Sequence, residues 1–262
     1  MYFSVLIKNL KQQLMYRTQF FLKIGGNILL IYIQICIWRS LLGAGSVMAA
    51  QVTVQYMSAY VIVANILSQL SRTVFTRVFA EKVAKGDIAV DFVRPINLKF
   101  YWFAEQASEH ILTAVFSSVP VLIVSSIFWG IVVPVSTLQT FQFILSVIFA
   151  ITLAYHIDYI AGLCVFWTKS DVYTRQIVSG LKTIFSGSSI PLWFYPNWLY
   201  NLSKVLPFRA LVYEPIQIYL GRLGVLESWN VILLQLFWIL VFYALERFVW
   251  SMLKKEVVIN GG

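Results

Sequence analysis

Long apolar runs alternate with short polar segments along the whole chain. Six of these runs approach the length of about 20 residues that a helix needs to cross a bilayer. They occupy residues 22–43, 52–71, 107–129, 141–167, 177–195 and 229–250. The fifth is the least regular, because the letters SGSSIP interrupt it. The pattern predicts an all-α membrane protein with six transmembrane helices in a single domain, residues 1–262.

The first 21 residues show a different pattern, in which apolar residues recur near helical spacing among polar ones. The apolar positions are Tyr2, Phe3, Leu6, Leu10, Leu14 and Phe21. Basic side chains are scattered between them, so the segment lacks the compact apolar core of a signal peptide. It predicts an amphipathic helix on the membrane surface, residues 1–21.

The segment between the second and third runs, residues 72–97, is charged and punctuated. Five apolar residues share one face of a helix predicted over 72–85, and charged residues occupy the rest. They are Val74, Phe75, Val78, Phe79 and Val83. Gly86 suits the end of this helix, Asp87 can cap a second one, and Pro95 stops it. Such a hairpin suits docking to a partner protein, or an interfacial position on anionic lipid.

A second irregular region, residues 191–222, lies between the fifth and sixth runs, and we call it the proline segment. It holds four of the seven prolines: Pro191, Pro196, Pro207 and Pro215. Proline ends helices, so the pieces between these positions are too short to cross a bilayer. Both pieces are amphipathic and rich in Trp, Tyr and Leu, and Asn197 is a candidate cap of the first. We predict a pair of re-entrant helices that dip into the outer leaflet and return.

Composition and charge agree with a membrane protein and give it an orientation. Hydrophobic residues make up 60% of the chain and charged residues 12%, against about 25% charged residues in a soluble domain. In the six-helix topology, most of the twenty Lys and Arg residues fall on one side. The exceptions are Arg39, Lys204, Arg209 and Arg222. The positive-inside rule then places both termini in the cytoplasm.

The sequence lacks the motifs of several classes of enzyme. It contains no G-x-x-x-x-G-K-[ST] loop, so we expect no ATP binding or hydrolysis by this chain itself. It also contains no H-E-x-x-H, C-x-x-C or G-x-S-x-G pattern. The net charge of +9 is spread over loops rather than clustered, which argues against a nucleic-acid partner. We therefore expect no catalytic residue, bound cofactor or metal.

Ionisable and polar residues inside the apolar runs remain candidates for function. His156 and Asp158 lie within the fourth run, and Glu105 and Glu109 lie at the start of the third. Charge inside a membrane is costly and often marks a proton relay or a substrate path. The alternative, which we favour for Asp158, is a polar contact between helices. For Glu105 and Glu109 we favour anchoring at the membrane interface. Asn65 and Gln69 carry the same two interpretations, as residues of a translocation path or as helix contacts.

Several motifs, in their order along the chain, resemble those of the permease subunits of bacterial ABC exporters. KGDIAVDFVRPIN resembles a G-D/E-x-x-x-x-L-x-R-P segment of that family, and SGSSIPLWFYPNWLYNLSKVLPF its small-residue turn and proline pattern. The ending VVINGG is similar to that of the daunorubicin-exporter-like and lipid-exporter-like branch. Polar His156 and Asp158 depart from the apolar pattern expected in the fourth run.

The resemblance implies roles for named residues. The cytoplasmic element 72–97 would be a coupling helix that docks on a separate ABC ATPase. Its docking residues would be Glu81, Lys82, Lys85, Gly86, Asp87, Asp91, Arg94 and Pro95. The re-entrant pair would form a gate with Pro191, Trp193, Pro196 and Pro207. Two ATPase subunits would carry ATP and Mg²⁺, and two permeases, identical or paralogous, would span the bacterial inner membrane.

Two other functions remain open. A proton-coupled secondary transporter would use Asp158, His156, Glu105 and Glu109 as relays, but such transporters often show inverted repeats, and none is evident here. An integral membrane enzyme would need clustered polar groups near one interface.

The aromatic and apolar proline segment suits a hydrophobic or amphipathic substrate, exported from the cytoplasm or the inner leaflet.

Overall fold

A computed structural model describes residues 17–43, 52–73, 75–85, 98–129, 136–168 and 170–261. All regular structure in these ranges is helical. The α-helices are α1 Arg17–Gly43, α2 Val54–Leu70, α3 Phe75–Lys85, α4 Leu98–Leu112, α5 Val119–Trp129, α6 Thr137–Thr168, α7 Asp171–Phe185, α8 Asn197–Val205, α9 Tyr213–Tyr219 and α10 Val225–Gly261. A π-helical turn, Thr113–Ser118, joins α4 to α5, and short 3₁₀ helices cover Leu192–Phe194 and Pro207–Leu211.

Within the described ranges, four helical stretches are long and apolar enough to cross a membrane. They are Ile24–Gly43, Tyr101–Trp129, Thr137–Thr168 and Val225–Leu253. The second predicted span forms α2, whose 17 residues reach only about 25 Å at 1.5 Å per residue. That is shorter than the hydrocarbon core of about 30 Å. The chain is thus a multi-pass membrane protein, and its helix α2 is shorter than the hydrocarbon core is thick.

The fifth predicted span, 177–195, is wrong as a continuous helix. Helix α7 ends at Phe185, and the chain turns through Ser186 and Gly187. Gly187 has a φ of +77°, in the left-handed region that favours glycine. A Cβ atom at this position would lie 2.9 Å from the Tyr60 hydroxyl oxygen. The turn therefore needs glycine, and the helix cannot continue through it.

The end of the predicted N-terminal helix lies within a longer helix. The described part of helix α1 runs from Arg17 without a break into the first apolar run. Residues 17–21 are therefore part of this long helix and not of a separate one. The rest of the predicted interfacial helix, residues 1–16, lies outside the described residues.

Helix α6 is the central element of the described structure. Helix α10 packs along it, and α3, α7 and α9 also contact it. The largest core cluster joins α2, α6 and the proline segment, with Tyr60, Leu153 and Ile216 almost fully buried. The Gln235 side-chain amide on α10 donates to the carbonyls of Ser146 and Ala210, at 3.1 and 2.9 Å. Apolar packing and an amide clamp thus hold the proline segment against the long helices.

Candidate functional site

Helix α3 has one buried aromatic face and one exposed charged face. Phe75 and Phe79 are 4% and 1% exposed. The Phe75 ring packs on Trp102 and Tyr159, with ring centroids 5.1 and 4.8 Å apart. Arg77, which pairs with Glu81 at 3.7 Å, lies on the opposite, exposed face. The period of the apolar residues explains this division, since residues three to four apart share a helix face.

The predicted docking residues fall partly on this helix. Glu81 and Lys85 are exposed, whereas the Lys82 ammonium lies 5.9 Å from the Trp102 ring centroid and is half-buried. The Lys82 ammonium is therefore within the range of a cation–π contact with the aromatic cluster. The other predicted docking residues lie outside the described residues: Gly86, Asp87, Asp91, Arg94 and Pro95.

A glycine on α6 lets α3 approach closely. A Cβ atom at Gly162 would lie 2.4 Å from Phe75 Cε1 and 2.6 Å from Phe75 Cδ1. It would also lie 3.4 Å from the Thr76 Cα atom. The first turn of α3 therefore rests directly on the backbone of α6, and any side chain at Gly162 would displace a buried ring.

Asp158 on α6 joins three parts of the chain. Its Oδ2 atom accepts hydrogen bonds from the Thr73 hydroxyl and the Lys182 ammonium, both at 2.7 Å. Its backbone carbonyl accepts the Thr76 hydroxyl at 3.1 Å. Lys182 also donates to the Ser71 carbonyl at 3.4 Å. Asp158 thus fastens the start of α3 and the helix α7 to the same point of α6.

His156 points to a different neighbour. Its Nδ1 atom lies 3.0 Å from Glu246 Oε1 on α10, and both residues are buried. The contacts thus direct His156 to α10 and Asp158 to α3 and α7. Sequence reasoning missed Glu246, although a lone acid inside the last apolar run was a usable signal. Glu105, with Glu109 four positions later, is half-buried on α4.

Asn65 and Gln69 belong to a hydrogen-bonded network between helices. The Gln69 amide donates to Asn65 Oδ1 at 2.6 Å. Gln69 Oε1 accepts from Asn27 on α1 at 2.8 Å and from Ser117 in the π-helical turn at 3.0 Å. The network therefore connects α1, α2 and the joint between α4 and α5. Sequence reasoning did not identify Ser117, because a π-helical turn has no clear sequence signal.

Aromatic contacts hold the start of the proline segment. Pro191 is buried, and the Trp193 ring meets Tyr60 edge-on at 5.0 Å. The Arg222 guanidinium lies 4.2 Å from the Trp193 ring centroid, within the range of a cation–π contact. The ends of the segment are therefore brought together over one tryptophan.

The helices of the proline segment differ from the prediction in two respects. Asn197 is the first residue of α8 rather than its cap, and the Pro196 carbonyl accepts the N–H groups of Leu199 and Tyr200. The second 3₁₀ helix of the segment begins at Pro207. Only α8 has an outward apolar face. Its exposed residues include Trp198, Leu202 and Val205.

The second piece of the segment is buried within the described structure rather than exposed. Every residue from Pro207 to Ile218 is buried. Arg209 and Glu214 form an ion pair inside this region. Pairing allows two charges to be enclosed together, which is why an apparently amphipathic piece lies in the core.

Comparison with known proteins agrees with this architecture. The family model described as ABC-2 family transporter protein matches residues 29–257. The chain belongs to the ABC-2 transporter family. Family membership identifies it as a membrane transport component of an ABC transporter, which implies an ATPase partner. The search of curated proteins found no match. The narrower daunorubicin-exporter-like or lipid-exporter-like branch stays a prediction.

Proposed function

We propose that this ABC-2 protein is the permease subunit of an ATP-driven exporter, and that α3 is the helix on which a separate ATPase docks. The observation that carries the proposal is the division of α3 into a buried aromatic face and an exposed charged face. The buried face fixes the helix to α6, and the exposed charges of Arg77, Glu81 and Lys85 remain available to a protein groove. The undescribed residues 86–97 would complete this coupling element.

The attachment of α3 supports a role as a lever. Phe75 packs on the Gly162 backbone, and Thr73 and Thr76 bind Asp158. Apolar contacts and hydrogen bonds therefore both hold α3 against α6. A force that an ATPase applied to the exposed face would reach the long helix instead of bending α3.

The remaining parts of the proposal concern topology and substrate. We infer six membrane crossings, with α2 and α7 as short ones and with both termini in the cytoplasm. The proline segment would then close the outer end of the path. Its aromatic residues suit a hydrophobic or amphipathic substrate, which would be moved outward by alternating access. Two permeases and two ATPases would form the complex in the bacterial inner membrane, with ATP and Mg²⁺ held by the ATPases.

The test is recovery of an ATPase with the tagged permease from native membranes. The double variant Arg77→Glu/Lys85→Glu reverses two exposed charges on α3 and should sharply reduce the recovered MgATP hydrolysis. Its matched control is Lys204→Glu, an exposed reversal on α8. Equal amounts of permease in the membrane must be shown for all three proteins. Unchanged ATPase recovery with the α3 variant would contradict docking on this face.

A proton-coupled transporter is the second candidate, and the buried contact between His156 and Glu246 is the observation that favours it. This function predicts proton flux by the chain alone. Proteoliposomes that contain only the permease and an internal pH dye would detect it. A flux that is lost in Glu246→Gln would favour this candidate, whereas absence of flux with the wild-type chain would exclude it.

A further inference from the structure

The Asp158–Lys182 ion pair stands where α3, α6 and α7 meet. We propose that this pair is the link through which movement of α3 reaches the proline segment. The inference rests on the proposed function, in which an ATPase moves α3. It assigns to Asp158 and Lys182 a positioning role in coupling, distinct from substrate binding or proton transfer.

The first half of the link is the attachment of α3 to Asp158. The Thr73 hydroxyl and the Lys182 ammonium both lie 2.7 Å from the same oxygen, Asp158 Oδ2. A shift of α3 that pulls on Thr73 therefore acts on the atom that holds Lys182. The Asp158 side chain is 12% exposed and that of Lys182 17%, so water screens the pair only weakly.

The second half of the link runs along the end of α7. Lys182 is one helical turn from Ser186, whose N–H donates to the Lys182 carbonyl at 2.9 Å. The Ser186 carbonyl accepts the Tyr213 N–H of the proline segment at 2.9 Å. The next residue, Gly187, accepts the Tyr60 hydroxyl at 2.6 Å. The ion pair is thus separated from the proline segment by a single turn of helix.

Helix α7 is suited to transmit movement because few of its side chains pack against the core. It has no buried residue, although Val178 and Phe185 pack partly against the core. A helix with few buried contacts is held less strongly than one inside the core. The ion pair therefore gives α7 a specific, directional attachment to α6 and α3. Without it, α7 would stay in the membrane but would no longer follow α3.

The experiment follows the proline segment in the assembled complex with its ATPase. Spin labels at Asn201 on α8 and Leu226 on α10, both exposed, report the distance between them in a chain without Cys36 and Cys164. The distance is measured by pulsed electron paramagnetic resonance, without nucleotide and after trapping with MgATP and vanadate. The probe is the nucleotide itself, so no substrate needs to be known.

Three variants test the link. Lys182→Met removes the pair, Lys182→Arg keeps it, and the double variant Asp158→Asn/Lys182→Met removes both charges so that neither is left buried alone. We expect the nucleotide-dependent shift in wild type and Lys182→Arg, and its loss in the other two. The ATPase should still co-purify with all of them. The control is Asp171→Asn, which removes an exposed pair with Arg175 of the same 2.7 Å length on α7.

The outcomes separate this inference from the proposed function. If no ATPase co-purifies with the wild-type chain, the proposed function fails before the link is tested. If the ATPase binds and the double variant shifts like wild type, the link is wrong and the function stands. If the double variant folds but loses the ATPase, the pair serves docking and not transmission, which also overturns the inference.

Discussion

The close approach of α3 to α6 predicts a large effect from a very small change, Gly162→Ala. The added Cβ atom would lie 2.4 Å from Phe75 Cε1. The ring cannot swing away freely, because it is buried among Phe79, Trp102 and Tyr159. Overpacking of this kind costs about 1–3 kcal/mol in free energy of unfolding. The higher helix propensity of alanine returns about 0.5–1 kcal/mol.

Gly180→Ala on α7 is the matched control for this change. No atom lies within 4 Å of a Cβ at Gly180, so the substitution should gain about 0.5–1 kcal/mol from helix propensity alone. Because the gain is common to both variants, the difference between them isolates the steric cost. We expect Gly162→Ala to be less stable than Gly180→Ala by about 1–3 kcal/mol.

The assay is unfolding by SDS in detergent micelles, followed by tryptophan fluorescence. A second variant, Gly162→Ala/Phe75→Leu, replaces the clashing ring with a smaller side chain and should recover part of the lost stability. ATPase recovery should fall with Gly162→Ala and not with Gly180→Ala. Equal stabilities of the two single variants would refute the direct contact between α3 and the α6 backbone.

Three further predictions test other parts of the structure. A single cysteine at Asn201 should react with an impermeant reagent from outside cells and one at Glu81 should not; the reverse result would invert the topology. Tyr60→Phe removes the hydroxyl that donates to the Gly187 carbonyl and should cost about 1–3 kcal/mol in unfolding free energy; an unchanged stability would contradict that bond. Glu246→Leu should cost a similar amount by removing the buried contact between its carboxylate and His156, and unfolding in detergent would show whether it does.

Local patterns in the sequence identified most of the helices. The α3 face that carries Phe75 and Phe79 followed from helical spacing, and the interruption at SGSSIP marked the place where α7 ends. These features depend on residues close together in sequence, so the sequence contains their signal. Boundaries were less predictable: residues 17–21 lie in the same helix as the first apolar run, because one helix can continue from a polar stretch into an apolar one.

Long-range partners could not be predicted from one sequence. Asp158 was singled out, but its partner Lys182 was counted only as a cytoplasmic charge. The burial of the second half of the proline segment was also missed, since the pairing of Arg209 with Glu214 conceals two charges. Both errors have one cause. The amphipathicity and hydropathy of a segment describe that segment alone, whereas burial depends on which helices pack together.

Crosslinking in cells tests the central claim most directly. A photoreactive benzoylphenylalanine placed at the exposed position of Glu81 on α3 should crosslink to an ABC ATPase, identified by mass spectrometry. The same group at Asn201 on α8 should not, because that helix belongs to the opposite end of the proposed topology. If the Glu81 position gave only lipid adducts in cells where the ATPase still co-purified, α3 would not be the docking helix.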